Sequence, residues 1–178
     1  MLAAFDRLLQ EPPGVTEQSG WRLRLLELLW FGLKEARACL FAGILFAAIL
    51  LMPRNGIAGL PRYDLLLLIA VLSQAWLLWR KIETWDEFKA ILVFHSLGFA
   101  LEAFKVSEAI GSWRYPEFAY TKLMGVPLFS GFMYAAVGSY MIQAWRLLDL
   151  RVEHHPPYWM SWAVSVAIYI NFFSHHFI

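Results

Sequence analysis

Apolar residues fall in five long segments, at about 36–52, 64–79, 88–110, 128–148 and 158–178. A membrane-spanning helix needs roughly 20 predominantly apolar residues at about 1.5 Å each, and every segment comes near that length. The first segment carries no charge between residues 38 and 52 and ends at Pro53. The pattern predicts an all-α fold, a polytopic transmembrane bundle of about five spans that occupies residues 36–178 as one domain.

Residues 1–35 differ from this apolar part of the chain. The first twenty residues lack the basic and apolar regions of a signal peptide, so we expect this segment to be retained. Residues 21–34 mix leucines with Arg22, Arg24 and Glu27. This mixture predicts an N-terminal segment followed by an interfacial helix.

The composition favours a membrane protein. Hydrophobic residues make up 60% of the chain and charged residues 16%, against roughly 45–50% and about 25% in globular domains. A net charge of +1 excludes the basic footprint of a nucleic-acid binder. A single cysteine, Cys39, excludes an intrachain disulfide. We therefore expect membrane lipids as partners and no nucleic acid.

Basic residues are unevenly divided between the two sides of the predicted bundle. Ten of the 15 Lys and Arg residues fall on the side of the N-terminus and five on the other. Cytoplasmic loops are the ones enriched in Lys and Arg. We therefore expect a multi-pass protein with a cytoplasmic N-terminus.

The third segment carries ionisable residues, His95, Glu102, Lys105 and Glu108. An ionisable group in hydrocarbon costs at least about 2.5–3.5 kcal/mol, and such groups usually face a partner or a wet cavity. On a helix His95 and Glu102 lie within about 20° of each other and about 10 Å apart, so a link between them needs a third group or water. The alternative is structural, an i,i+3 pair of Glu102 with Lys105 and polar packing contacts.

A histidine doublet, His175 and His176, follows the fifth segment. Imidazole is a common metal ligand and proton shuttle, so this doublet with Glu102 is a candidate set of metal ligands. The sequence lacks the His-x-x-x-His spacing that places two ligands on one helix face. We predict no organic cofactor and keep a divalent metal as an open alternative.

The fourth segment has hydroxyl and small residues at helical spacing. Ser130 and Tyr134 place two hydroxyls at the depth of Glu102. Gly131 and Ala135 form a small-x-x-x-small pair, which favours close helix packing and allows a helix–helix oligomer.

Several stretches together resemble the bacterial integral membrane family catalogued as domain of unknown function 817. They are ETWDEFK at 83–89, FH at 94–95, EAFKV at 102–106, GSWRYPE at 111–117, GVPLFSGFMY at 125–134 and YINFFSHHF at 169–177. The resemblance implies a bacterial inner-membrane protein with no established activity. Family members are longer, so it also implies that this chain is truncated at its C-terminus. Glu102 ahead of residues 111–116 has a fainter resemblance to membrane carotenoid cyclases and hydratases.

These observations lead to one functional hypothesis and two rivals. The hypothesis is a membrane-embedded enzyme that acts on an apolar or isoprenoid-like substrate, with Glu102 as acid or base. His95 and His175 would be its proton partners, and Ser130 and Tyr134 its orienting hydroxyls. The rivals are a small-solute or proton-coupled transporter and a membrane assembly subunit. Hydrolase, P-loop and dinucleotide-binding fingerprints are absent from the sequence.

Overall fold

A computed structural model describes Leu9 and residues 20–174. These residues form six helices and one short hairpin. In chain order they are α1 (Trp21–Ala38), α2 (Leu40–Leu51), α3 (Arg62–Trp79), α4 (Trp85–Val106), β1 (Lys122–Leu123), β2 (Val126–Pro127), α5 (Phe129–Leu147) and α6 (Tyr158–Ser174).

Local sequence signals explain several helix ends. α2 stops just before Pro53, which restricts the preceding residue to extended backbone. α4 begins with a capping box, in which Glu87 N donates to Thr84 Oγ1 at 3.2 Å and Thr84 N donates to Glu87 Oε2 at 2.7 Å. Each of these bonds satisfies a backbone N–H that the first helical turn leaves free.

α5 lies at the centre of the bundle. It packs most extensively against α4 and also contacts α1, α2 and α3. The main buried cluster draws side chains from α2, α3, α4 and α5 and from Ile82, which lies between α3 and α4. Its members are Phe41, Leu45, Ala70, Leu77, Ile82, Ile91, Phe132, Ala135 and Ala136. By contrast, none of the described residues of α6 is buried.

The prediction of five membrane spans is wrong. Within the described residues, α3 is the single helix long and apolar enough to cross a membrane by length and composition. The segment predicted at 36–52 is interrupted at Cys39, so α2 has 12 residues, about 18 Å against a hydrocarbon thickness of about 30 Å. α4 carries charges at both of its ends, and α5 interleaves apolar residues with serine, glycine, glutamine and arginine. α6 is described over 17 residues.

The segment between α4 and α5 folds back over the end of α4. Its hairpin turns at Met124 and Gly125, both with positive φ, and leads directly into α5. Asp64 at the start of α3 accepts hydrogen bonds from the backbone N–H groups of Tyr120 and Thr121, each at 2.9 Å. These contacts tie the end of the loop of residues 107–121 to α3.

Candidate functional site

Glu102 accepts hydrogen bonds from three aromatic side chains. Tyr134 OH donates to Oε1 at 2.9 Å, while Tyr115 OH and Trp113 Nε1 donate to Oε2 at 2.8 and 3.0 Å. The glutamate is only 4% exposed. A buried carboxylate is costly unless hydrogen bonds replace its water, and these three donors supply that replacement.

Three separate elements bring the donors together. Glu102 lies on the last turns of α4, Tyr134 on α5, and the other two donors in the loop that folds back. Gly98 permits the approach of Tyr134, because a Cβ at this position would overlap the tyrosine ring. The carboxylate therefore joins α4, α5 and the loop through hydrogen bonds.

The hydroxyl of Tyr115 stays protonated and therefore remains a hydrogen-bond donor in this cluster. Burial raises the pKa of its hydroxyl, and the hydrogen bond and negative charge of Glu102 raise that pKa further. A phenol with a raised pKa keeps its proton throughout the physiological range. Tyr115 can therefore donate its hydrogen to Glu102 at physiological pH.

An apolar groove of about 470 Å³ runs between α2 and α5 and reaches this cluster. Tyr134 and Tyr140 are six residues apart on α5, so they mark points about 9 Å apart along the groove. Tyr140 OH donates to Glu35 Oε2 at 2.9 Å. The groove is lined by Cys39, Ala42, Phe46, Glu102, Met133, Tyr134, Ala136, Val137 and Tyr140.

A second buried carboxyl, Glu83, lies between α3 and α4. It is 2% exposed and accepts hydrogen bonds from Gln74 Nε2 and Ser139 Oγ. Burial is the largest influence on its pKa, which is raised. The nearby Arg146 pairs with Glu87 at 2.8 Å instead of with Glu83.

The structure brings some of the residues predicted for the site together and separates others. Glu102 and Tyr134 are in contact. Ser130 is completely buried near Tyr115, and its Oγ has no hydrogen-bond partner among the described residues. Within the described residues, no hydrogen bond joins the Ser130 hydroxyl to the Glu102 carboxylate.

His95 stands apart from the Glu102 cluster. Its ring lies 4.4 Å from the ring of Phe132 and against the backbone of Gly131. Its Nδ1 is buried and has no hydrogen-bond partner among residues 20–174 and Leu9. The part of the chain that is described provides no group that links His95 to Glu102, which is the link that a proton partner needs.

His175 and His176 lie outside the described residues, so their predicted roles stay predictions. Within the described ranges, no group of three or more His, Cys, Asp or Glu side chains is placed to hold a metal ion. A divalent metal bound by Glu102 with the histidine doublet likewise stays a prediction.

Sequence reasoning missed Trp113 and Tyr115 as partners of Glu102. Both lie between the predicted segments 88–110 and 128–148, and a loop has no periodicity from which side-chain direction follows. A signal was available in their polar tips, because a buried indole N–H or phenol O–H usually finds a partner and a buried carboxylate needs donors. Sequence reasoning also missed Glu83 and its partners, Gln74 and Ser139. None of the three stands out from its segment by residue type or spacing.

Comparison with known proteins identifies relatives but no activity. Residues 27–178 match the family described as Protein of unknown function (DUF817). The chain is 47% identical over 151 residues to the uncharacterized protein YoaT of Bacillus subtilis strain 168. That alignment covers 85% of this chain and 56% of YoaT, so the chain spans little more than half of its relative. No solved structure matches the chain.

Neither match is to a carotenoid cyclase or hydratase, and that fainter likeness finds no support. The family match covers well over half of the chain, and it includes α2 to α6, Glu102 and the three donors of its hydrogen bonds. The chain belongs to the DUF817 family.

Proposed function

We propose that this DUF817 protein binds an apolar, isoprenoid-like molecule in the groove between α2 and α5, and that Glu102 acts on it as a general acid or base. The observation that carries the proposal is an apolar groove of about 470 Å³ whose lining includes one buried carboxylate. Small-molecule sites usually combine a mostly apolar wall with a few placed polar groups.

The hydrogen bonds around Glu102 suit it to proton transfer. A carboxylate offers about four acceptor positions, and the three aromatic donors occupy three of them. By this count, Oε1 accepts one of the three hydrogen bonds and Oε2 accepts two. A carboxylate that is held in a fixed orientation within reach of a bound molecule meets the geometric requirement for a general base.

A location in the bacterial inner membrane, with a cytoplasmic N-terminus, is part of the proposal. Support comes from large apolar side chains that the described fold leaves exposed, such as Leu50 and Leu51 on α2 at 81% and 82%. On α6, Trp162 is 71% and Ile168 62% exposed. Exposed apolar surface of this extent is typical of contact with lipid or with another protein.

Expression in Escherichia coli tests the location. We expect the protein to stay with the membrane pellet after an alkaline carbonate wash, because the wash removes proteins held by charge alone. Recovery of folded protein in the wash supernatant would contradict a membrane location.

Variants at the groove test the function. The protein and its variants are produced in cells that make long-chain isoprenoids, and lipids that co-purify with each protein are identified by mass spectrometry. Glu102→Gln should retain the bound molecule and lose its conversion. Val137→Trp should lose both, because Val137 lines the groove and is 55% exposed.

Val164→Trp is the matched control, since Val164 is 59% exposed on α6 and does not line the groove. It should behave as the unaltered protein. Identical lipid profiles for all variants and for cells without the protein would contradict the proposed function.

A proton-coupled carrier is the second candidate, and one observation favours it. Glu83 and Glu102 are buried carboxyls near the two ends of the α4–α5 pair. Buried ionisable groups inside a helical bundle are typical of proton pathways. Proteoliposomes with an internal pH dye test this candidate: a pH change on adding a solute, lost in both Glu83→Gln and Glu102→Gln, would favour the carrier over the enzyme.

A further inference from the structure

We infer that the groove accepts an apolar molecule whose polar head donates hydrogen bonds, an alcohol or an ammonium group, and that it rejects carboxylates. The inference rests on the proposed function, because it names the class of molecule that the same groove binds. It follows from the hydrogen bonds that the hydroxyl groups of the lining residues already donate.

The hydroxyls that line the groove have no hydrogen left to offer. A tyrosine hydroxyl has one hydrogen and otherwise only accepts. Tyr134 directs its hydrogen to Glu102 and Tyr140 directs its own to Glu35, each at 2.9 Å. The polar atoms that these residues can still offer to a ligand are therefore acceptors.

The charges of the residues that line the groove also disfavour an anionic head group. None of the described residues that line the groove is Lys, Arg or His, and Glu102 is the one formally charged residue among them. Lys105 follows one turn after Glu102, but its Nζ lies 4.0 Å from the centre of the Phe172 ring on α6 and does not line the groove. An anionic head would meet like charge there.

Selectivity follows from this imbalance between donors and acceptors. An alcohol gives its hydrogen to Glu102, and an ammonium group makes a charge-assisted hydrogen bond of about twice the ordinary strength. A carboxylate can only accept hydrogen bonds, and the hydroxyl groups that line the groove have no hydrogen left to donate. Its oxygens would therefore stay unpaired. Unpaired buried polar groups are the strongest basis for rejecting an analogue.

Cys39 provides a reporter inside the groove. It is the single cysteine of the chain, it is exposed, and it lines the groove. Burial, and to a lesser extent Glu35, raise the pKa of its thiol. A maleimide labels the thiol at pH 8, and a molecule that fills the groove should slow this labelling.

Three probes with the same fifteen-carbon chain test the inference: farnesol, farnesylamine and farnesoic acid. We expect farnesol and farnesylamine to slow the labelling of Cys39 at concentrations about tenfold lower than farnesoic acid requires, as one hydrogen bond to a charged group would produce. In Glu102→Gln the gap between farnesol and farnesoic acid should shrink, because an amide can donate to the acid.

Glu108→Gln is the matched control, since Glu108 is exposed and does not line the groove. It should keep the selectivity of the unaltered protein. Equal protection by farnesoic acid and farnesol would overturn the inference while groove binding stands. If no probe protects Cys39, the proposed function is overturned and the inference with it.

Discussion

Glu83 and Glu102 are both buried, but they differ in the number and kind of hydrogen bonds that they accept. Glu102 receives three hydrogen bonds from aromatic side chains. Glu83 receives two, from an amide and a serine hydroxyl, and its neighbour Arg146 is directed to Glu87 and to the Ile82 carbonyl. Burial of a carboxylate without a paired cation disfavours its charged form, which explains the raised pKa of Glu83.

Replacement of Glu83 by glutamine should stabilise the protein at neutral pH. The raised pKa means that the folded state holds its proton at a pH where the unfolded chain, with an ordinary pKa of about 4.3, has lost it. The contribution of Glu83 to stability is therefore greatest below about pH 4.3 and falls as pH rises through its folded pKa.

Thermal unfolding at a series of pH values measures this effect. In the unaltered protein, the loss of the Glu83 proton should lower the free energy of unfolding between acidic and neutral pH. Glu83→Gln should remove this part of the fall. The amide of Gln74 can adapt to the new side chain, because its Oε1 is buried and has no partner among the described residues. A loss of stability at pH 7 relative to the unaltered protein would contradict the prediction.

Tyr115→Phe should destabilise the fold by about 1–3 kcal/mol, because a carboxylate acceptor loses a partner in a buried setting. Tyr120→Phe is the control, since Tyr120 is 73% exposed in the same loop, and its change should stay within about 0.5 kcal/mol. Urea unfolding followed by fluorescence compares the two. Equal effects would show that the hydrogen bond to Glu102 carries no stability.

The sequence revealed part of the Glu102 cluster and not the rest. Glu102 stands out because an ionisable residue in an apolar segment is unusual, and helical spacing places Tyr134 at a comparable depth. Trp113 and Tyr115 reach the carboxylate from a loop that is held by long-range contacts, among them those of Asp64 with residues 56 and 57 positions away. No local pattern encodes a contact of that range.

At the scale of elements, glycines decide how closely α4 and α5 approach. A Cβ at Gly131 would lie 2.7 Å from the backbone oxygen of His95, and one at Gly138 would lie 2.6 Å from the ring of Phe94. The first neighbour is backbone and cannot move without the helix. The second is a side chain, 37% exposed, which can turn aside.

Gly131→Ala should therefore cost about 1–3 kcal/mol, the range expected when an added methyl overfills a packed interface. Gly43→Ala on α2 is the control, because nothing lies within 4 Å of a Cβ there, and it should be neutral or stabilise by up to about 1 kcal/mol. Differential scanning calorimetry of both variants provides the comparison. Equal stability of the two would contradict close packing at Gly131.

Helix positions could be predicted where the chain carries explicit end signals. The segment predicted at 64–79 corresponds to α3 at Arg62–Trp79, which follows Pro61. The break at Cys39 carries neither proline nor glycine, so one apolar segment was predicted where the structure has the end of α1 and the start of α2. Apolar length alone also cannot distinguish a helix that faces lipid from one that packs against α5.

At the scale of the whole molecule, α6 differs from the other helices. Its described residues are all at least partly exposed, and its described ring contacts with the other helices join Phe172 and Phe173 to Phe104 on α4. The other helices pack around α5 and bury the main cluster without α6. The groove and the Glu102 cluster therefore belong to α1–α5 and the loop before α5.

Removal of residues 158–178 should leave that unit folded. Since α6 buries none of its described residues, its loss removes little burial, chiefly the cover over Phe104 and Lys105. Slow amide hydrogen exchange in α4 and α5 should persist, and farnesol should still slow the labelling of Cys39. Retention in the carbonate-washed pellet should fall, because α6 contributes exposed apolar surface. Loss of slow exchange in α5 would show that α6 is part of the folded core.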